Sequence, residues 1–149
     1  MTRVESTVEI KAPVTEVFSY ASDWQHWEEW WQGVSAFRPT TEVGRGNGAR
    51  YAYKAWMAGI SVDIETEVHD FVENAGWRGE VTKGPPHRTR WVFQGMGNTT
   101  RFTYILEYKV PVPLLGHLLD SLLVRPGWKR MLGNSLQNLK GRLEGERKT

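Results

Sequence analysis

The chain of 149 residues contains no cysteine. That excludes disulfide staples, thiolate metal sites and cysteine nucleophiles, and it fits a reducing compartment. No apolar run approaches the about 20 residues that a membrane-spanning helix needs. The opening stretch MTRVESTVEI lacks the apolar segment of a secretion signal. An excess of one charge is also missing: 19 Lys and Arg against 17 Asp and Glu leave a formal net charge of +2. The two signs are mixed along the chain, whereas a nucleic-acid footprint requires a basic patch or stripe. The expectation is therefore a cytoplasmic protein with no nucleic-acid partner and no stable membrane insertion. A chain of this length suits one domain, residues 1–149, with room for a sizeable core.

What the chain has in abundance is aromatic surface: eight Trp, five Tyr and five Phe. Tryptophan brings a large apolar area and one N–H that needs a partner when buried. Four of the tryptophans, Trp24, Trp27, Trp30 and Trp31, recur at steps of three and four after Asp23. Asp23 is a good N-cap and Gly33 a good stop, so residues 23–31 read as a short helix with most of its indoles on one face. Two readings stand side by side, an aromatic plug at one end of a sheet or a rim at the mouth of a pocket.

Most of the remaining chain alternates with the period of strands. Val4, Ser6, Val8 and Ile10 face one way and Arg3, Glu5, Thr7, Glu9 and Lys11 the other. After Ala12-Pro13 a short helix carries Val14, Val17, Phe18 and Ala21 on one side. Val34–Thr41 reads as a strand. The glycine-rich Val43–Gly48 is read as a hairpin connection, since no Lys-Ser/Thr and no helix follow to make it a phosphate cradle. Strands at 49–57 and 60–71, turning at Ala58-Gly59, put Lys54 across from Asp63 and Arg50 across from Glu67. That register makes Asp63, Glu65, Glu67 and His69 a solvated face, not an acid–base or metal site. Strands at 76–82, 87–94 and 98–110 follow, with Glu80 facing Arg88 or Arg90. Pro111-Val-Pro113 stops the sheet and 114–123 looks helical.

The longest helical pattern runs from Pro126 to Glu144. Trp128, Met131, Leu132, Leu136, Leu139 and Leu143 form its apolar stripe, and Lys129, Arg130, Gln137, Asn138, Lys140 and Arg142 its wet side. Such a helix needs an apolar surface, and the concave face of the sheet is the candidate. Gly133 and Gly141 interrupt it, each costing about 1 kcal/mol relative to Ala. Gly133 is expected to mark room between helix and sheet, so that Gly133→Leu loses ligand and stays folded.

The opening Val8-Glu9-Ile10-Lys11-Ala12-Pro13 with Val17-Phe18, the run Trp30-Trp31-Gln32-Gly33-Val34, the prolines before Leu114-Leu115-Gly116, and the ending Leu139-Lys140-Gly141-Arg142-Leu143-Glu144 carry a resemblance. The chain resembles the START-like (SRPBCC) superfamily, and within it the polyketide cyclase/dehydrase-like branch. The resemblance covers essentially the whole chain. It implies an α+β helix-grip fold: two short helices after strand 1, and a seven-stranded curved antiparallel sheet wrapped around the long C-terminal helix. It also implies an apolar cavity for a lipid, quinone or polyketide-like molecule.

The lining expected from the strand registers is Tyr51, Tyr53, Trp77, Trp91, Phe93, Phe102, Tyr104 and Tyr108, faced by Met131 and Leu132. Thr66 and Thr89 add hydroxyls. The functional expectation is binding of a small hydrophobic or aromatic molecule. The alternative is a cyclase or dehydratase in which Tyr51, Tyr53, Tyr104 or Tyr108 assists proton transfer. No catalytic residue, metal or cofactor is assigned, and the oligomeric state is left open. The same aromatics could also simply fill the space between helix and sheet.

Overall fold

The computed structural model describes residues 2–57, 60–109 and 125–147. Strand β1 (Thr2–Ile10) is followed by α1 (Val14–Ala21), a 3-10 turn (Trp24–His26) and α2 (Trp27–Trp30). Then come β2 (Val34–Pro39), β3 (Arg50–Met57), β4 (Ile60–Val72), β5 (Gly76–Lys83), β6 (His87–Met96) and β7 (Thr99–Tyr108), and finally α3 (Arg125–Arg147). The expected Ala58-Gly59 turn, the Pro111–Pro113 stop and the helical 114–123 segment lie outside the described residues. Among those described, the seven strands form one antiparallel sheet in the order β1-β7-β6-β5-β4-β3-β2. This is the helix-grip arrangement, with α1 and α2 following β1 and the long helix last.

The alternation in the sequence places the side chains. Val4, Val8 and Ile10 of β1 are buried, as are Phe102, Tyr104, Leu106 and Tyr108 of β7. Leu132, Leu136, Leu139 and Leu143 form the buried stripe of α3, each contributing roughly 1.5–3 kcal/mol. Polar contacts fix where the helix lies. Lys140 Nζ donates to the Glu9 carbonyl at 2.7 Å, and Glu144 accepts from the Lys11 N–H at 2.9 Å. Ser135 Oγ accepts from the Gln32 N–H at 2.9 Å and donates to the Met131 carbonyl at 2.8 Å. One flank of α3 is thus tied to β1, and its buried face to the chain just after α2.

Gly133 falls seven residues before Lys140, on that β1 flank. A Cβ there would meet nothing within 4 Å. That space is open around the helix surface, while Met131 on the other flank meets Gly33. Gly133→Ala should therefore stabilise the protein by about 0.5–1 kcal/mol, because it restores helix propensity without a clash. A rise in the urea midpoint checks this.

The β3–β4 register is the expected one, with Lys54 opposite Asp63 and Arg50 opposite Glu67. Arg50 Nε closes on Glu67 at 2.5 Å, and His69 shares the same carboxylate at 2.9 Å. Glu65 departs from the solvated face expected for it. Its residue is buried, and its carboxylate accepts from Thr82 Oγ1 at 2.7 Å and Thr40 Oγ1 at 3.0 Å. Those hydroxyls hold its pKa below the ordinary glutamate value. Glu80 stands opposite Arg88 in register but pairs with Arg78 at 2.5 Å, while Arg88 pairs with Glu107 at 3.1 Å.

Two elements are shorter than the patterns imply. The tryptophan helix breaks into a 3-10 turn and four helical residues. β2 ends at Pro39, and its pairing slips between Ser35 and Arg38, where Ala36 adopts φ +58°. The Glu28 carboxylate reaches across to accept the Ala36 and Phe37 amides, which satisfies backbone donors at the bulge.

Candidate functional site: an aromatic chamber under the sheet

The short α1–α2 segment supplies the roof of the concave face. Asp23 Oδ1 accepts from the Gln25 N–H at 3.0 Å and starts the 3-10 turn. Trp27 Nε1 donates to the Ala21 carbonyl at 2.8 Å, so that indole enters the core with its N–H satisfied. Gly33, at φ +82°, then turns the chain into β2.

Three indoles descend onto the sheet from this roof. Trp27 meets Tyr51 at 4.8 Å and Phe37 at 5.1 Å between ring centroids. Trp30 meets Trp91 at 5.6 Å and Phe102 at 6.3 Å, edge to face. Trp31 lies among Trp91, Phe37, Tyr104 and Tyr53 at 5.3–5.9 Å. On the sheet, Trp77 stacks on Trp91 and Phe93 on Phe102, each at 4.4 Å. Phe18 of α1 closes edge-on over Phe93, Phe71 and Trp77.

The expected lining residues all face this space, in two groups. Tyr51, Trp77, Phe93 and Phe102 are buried beneath Phe18, Trp27 and Trp30, where side chains fill the volume. Tyr53, Tyr104, Tyr108 and Met131 lie toward Trp31 and Trp128, with Tyr108 and Trp128 at 6.0 Å. Trp91 touches indoles of both groups, and Leu132 is buried in the α3 stripe. Trp27 and Trp30 are thus buried as an aromatic plug, while Trp31 is partly buried and packs against the core.

In that second region Tyr53, Tyr104 and Tyr108 are buried, and the side chains around them are less so. Val62, Thr66, Val81, Thr89, Trp128 and Met131 are intermediate, whereas Phe18, Phe102 and Trp30 at the other end are fully buried. Among the described residues, the concave face is closely filled beneath Phe18, Trp27 and Trp30, and its partly exposed side chains toward α3 are Trp128 and Met131.

Arg45, from the glycine-rich connection, seals the filled end. Its guanidinium lies 5.0 Å from the Phe71 ring and 5.6 Å from Phe18, a cation–π arrangement. Two of its nitrogens bind Glu73 at 3.1 and 3.2 Å, and one reaches Ser22 Oγ at 3.3 Å. Beneath it remains a cavity of only about 10 Å³ between Trp27, Tyr51 and Trp77, room for about one water. Tyr51 donates to the Gly44 carbonyl at 2.7 Å, and burial pushes its pKa up to about 12.

On the same face stands His87, half-buried, two residues before Thr89 and opposite Tyr108. Its Nδ1 lies 2.7 Å from the Pro85 carbonyl, and burial lowers its pKa. Burial raises the phenol pKa of Tyr53 and of Tyr104, with the Thr66 hydroxyl opposing the shift at Tyr53. Both phenols stay protonated at neutral pH, so they serve as hydrogen-bond donors and not as bases.

A second recess, about 630 Å³, lies over β2–β4. Arg38, Arg50, Lys54 and Lys83 line it beside Asp63 and Glu65, a mixed-charge groove unlike the apolar concave side. Among the described residues, no three His, Asp or Glu are grouped to hold a metal ion, and no helix is long and apolar enough to cross a membrane.

A family model described as polyketide cyclase / dehydrase and lipid transport matches residues 1–144. The chain belongs to this family. No curated protein matches it. Among solved structures, the protein TTHA0849 from Thermus thermophilus is similar at 22% identity, with a TM-score of 0.82 over 97% of this chain and 99% of that one. A START superfamily protein from Mycobacterium smegmatis is 21% identical, with a TM-score of 0.72 over 96% of this chain and 97% of that one. The KanY protein, solved by NMR, is 20% identical with a TM-score of 0.76, covering 97% and 99% of the two chains. At these identities the similarity shows the shared START-like fold.

Within this polyketide cyclase / dehydrase family member, the strand patterns miss three contributors to the aromatic face. Phe37 escapes because β2 bulges. Arg45 escapes because a connecting loop carries no period that says which way it folds. His87 was legible: stepping back by two from Thr89 along β6 puts it on the concave side.

Proposed function

We propose that this chain, as one domain over residues 1–149, binds a small apolar or aromatic molecule between the sheet and α3. The observation that supports this most is the aromatic concave face, closed by Arg45 at one end and partly exposed at the Trp31–Trp128 end. Tyr53, Tyr104, Tyr108 and Met131 would contact the ligand directly. Trp91 would back them, and Tyr51, Trp77, Phe93, Phe102 and Leu132 would shape the floor and the closed end. Ligand sites of this kind are mostly apolar, with a few polar atoms that set orientation. A ligand burying about 500 Å² of apolar surface gains about 12 kcal/mol gross, which leaves about 8 kcal/mol, micromolar affinity, after an association cost of about 4 kcal/mol. Burial raises the phenol pKa of Tyr51, Tyr53 and Tyr104, so those three are not poised as bases, which favours binding over a cyclase that uses one of them as a base.

The test uses the protein's own indoles. Titration with a naphthoquinone, a sterol and a flavonoid should give saturable quenching for at least one class, with a one-to-one complex in native mass spectrometry. Failure of all three, together with failure of an apolar dye to bind, would remove the reading.

A further inference from the structure

His87 is the one imidazole on the concave face among the described residues, where strand alternation otherwise places apolar, hydroxyl-bearing and aromatic side chains. A carbonyl oxygen can only accept. The 2.7 Å contact between His87 Nδ1 and the Pro85 carbonyl therefore fixes the proton on Nδ1. The neutral ring then carries its lone pair on Nε2, and among the described residues Nε2 has no hydrogen-bond partner. Burial opposes protonation of the ring, which keeps this tautomer in place near neutral pH. The wall beside it is aromatic: Tyr108 is its cross-strand partner, and Trp128 lies 6.0 Å beyond Tyr108.

From this geometry we infer that His87 Nε2 is the polar anchor of the chamber, accepting a hydrogen bond from a hydroxyl group on an aromatic ligand, a phenol or an enol. A ligand cation is disfavoured there, because no carboxylate on the described concave face would offset its desolvation. A ligand carboxylate is disfavoured as well, since it would meet the lone pair of a neutral ring. A hydroxyl on a flat ring satisfies both the acceptor and the aromatic wall. The inference rests on the ligand-binding reading above, and the experiment separates the two.

Equilibrium dialysis compares 2-naphthol with 2-methylnaphthalene, which have similar shape and differ in the donor. The wild-type protein should prefer 2-naphthol by about five- to tenfold, the worth of one buried neutral hydrogen bond. His87→Phe should bring the ratio of the two affinities to about one. In the wild-type protein, the ¹⁵N resonance of His87 Nε2 should move on addition of 2-naphthol and stay in place with 2-methylnaphthalene. This second measurement does not depend on how well the variant folds. A preference that survives His87→Phe, or an Nε2 resonance indifferent to 2-naphthol, overturns the anchor and leaves the chamber standing if both probes still saturate. No saturable binding of either probe by the wild type overturns the chamber reading and the anchor together.

Discussion

Gly76→Ala should destabilise the protein by at least about 3 kcal/mol, the combined scale of left-handed backbone strain and of overpacking in a filled core. Gly76 opens β5 at φ +142°, a conformation that L side chains rarely adopt. A Cβ built there would lie 1.9 Å from the Trp91 carbonyl oxygen and 3.0 Å from its carbon. Neither is the end of a flexible side chain. The strands cannot simply part, because Gly76 pairs with Val92, Trp77 with Trp91, and the Phe93 N–H donates to the Ala75 carbonyl at 2.8 Å. The methyl group must therefore displace the strand that carries Trp91, the ring shared by both halves of the chamber. Urea unfolding followed by tryptophan fluorescence should show the loss, and near-ultraviolet circular dichroism should show weakened Trp77–Trp91 coupling. A loss under about 1 kcal/mol, the ordinary scale of a point mutation, would mean that β5 and β6 approach less tightly. The contrast with Gly133→Ala, expected to stabilise, shows that the surroundings of a glycine decide the sign.

That contrast also marks the limit of reading a site from sequence. Period-two patterns place Tyr53, Trp91, Tyr104 and Tyr108 on one face, because a pleated strand leaves no other choice once one face is apolar. The β3–β4 register follows from matched alternation with opposite charges, Lys54 facing Asp63 and Arg50 facing Glu67. The α3 stripe follows from its leucine spacing. What is not legible depends on contacts between distant segments. Nothing local announces that Ala36 takes φ +58°, since the cause is Glu28 accepting its amide from another element. That bulge brings Phe37 against Trp27 and Trp31. Glu65 reads as one more surface acid until Thr40 and Thr82 are seen to close over it. Arg45 reads as a loop cation until Glu73, 28 residues away, holds it over two phenylalanines. Core aromatics could thus be named in advance. Phe37 and Arg45 could not, because a bulge and a loop position them.

Trp30 provides the second large effect, and it bears on what the filled end can become. The residue is 1% exposed and wedged edge-on between Trp91 and Phe102. Trp30→Ala should cost about 3–5 kcal/mol, the range for truncating a buried aromatic when the cavity does not collapse. Collapse is resisted because the backbone here is anchored apart from the ring: Asn138 Nδ2 donates to the Trp30 carbonyl at 3.3 Å, and the Gln32 N–H donates to Ser135 Oγ at 2.9 Å. The indole itself is less well served, since its Nε1 is buried without a hydrogen-bond partner. An unpaired buried donor costs about 1–3 kcal/mol. Trp30→Phe removes that donor while keeping most of the ring, so it should cost well under half as much as Trp30→Ala. The alanine variant also leaves an indole-shaped void lined by aromatic rings. Free indole should bind it and raise its melting temperature well beyond any effect on the wild type, by up to about 2.7 kcal/mol of stabilisation at one hundred times the dissociation constant. Equal costs for the alanine and phenylalanine variants would mean that the unpaired N–H carries no penalty. Absence of indole rescue would mean that α2 sinks into the space. Rescue would show that the filled half of the chamber is held open by its backbone and occupied by the chain's own tryptophan, in the place where an aromatic ligand could otherwise lie.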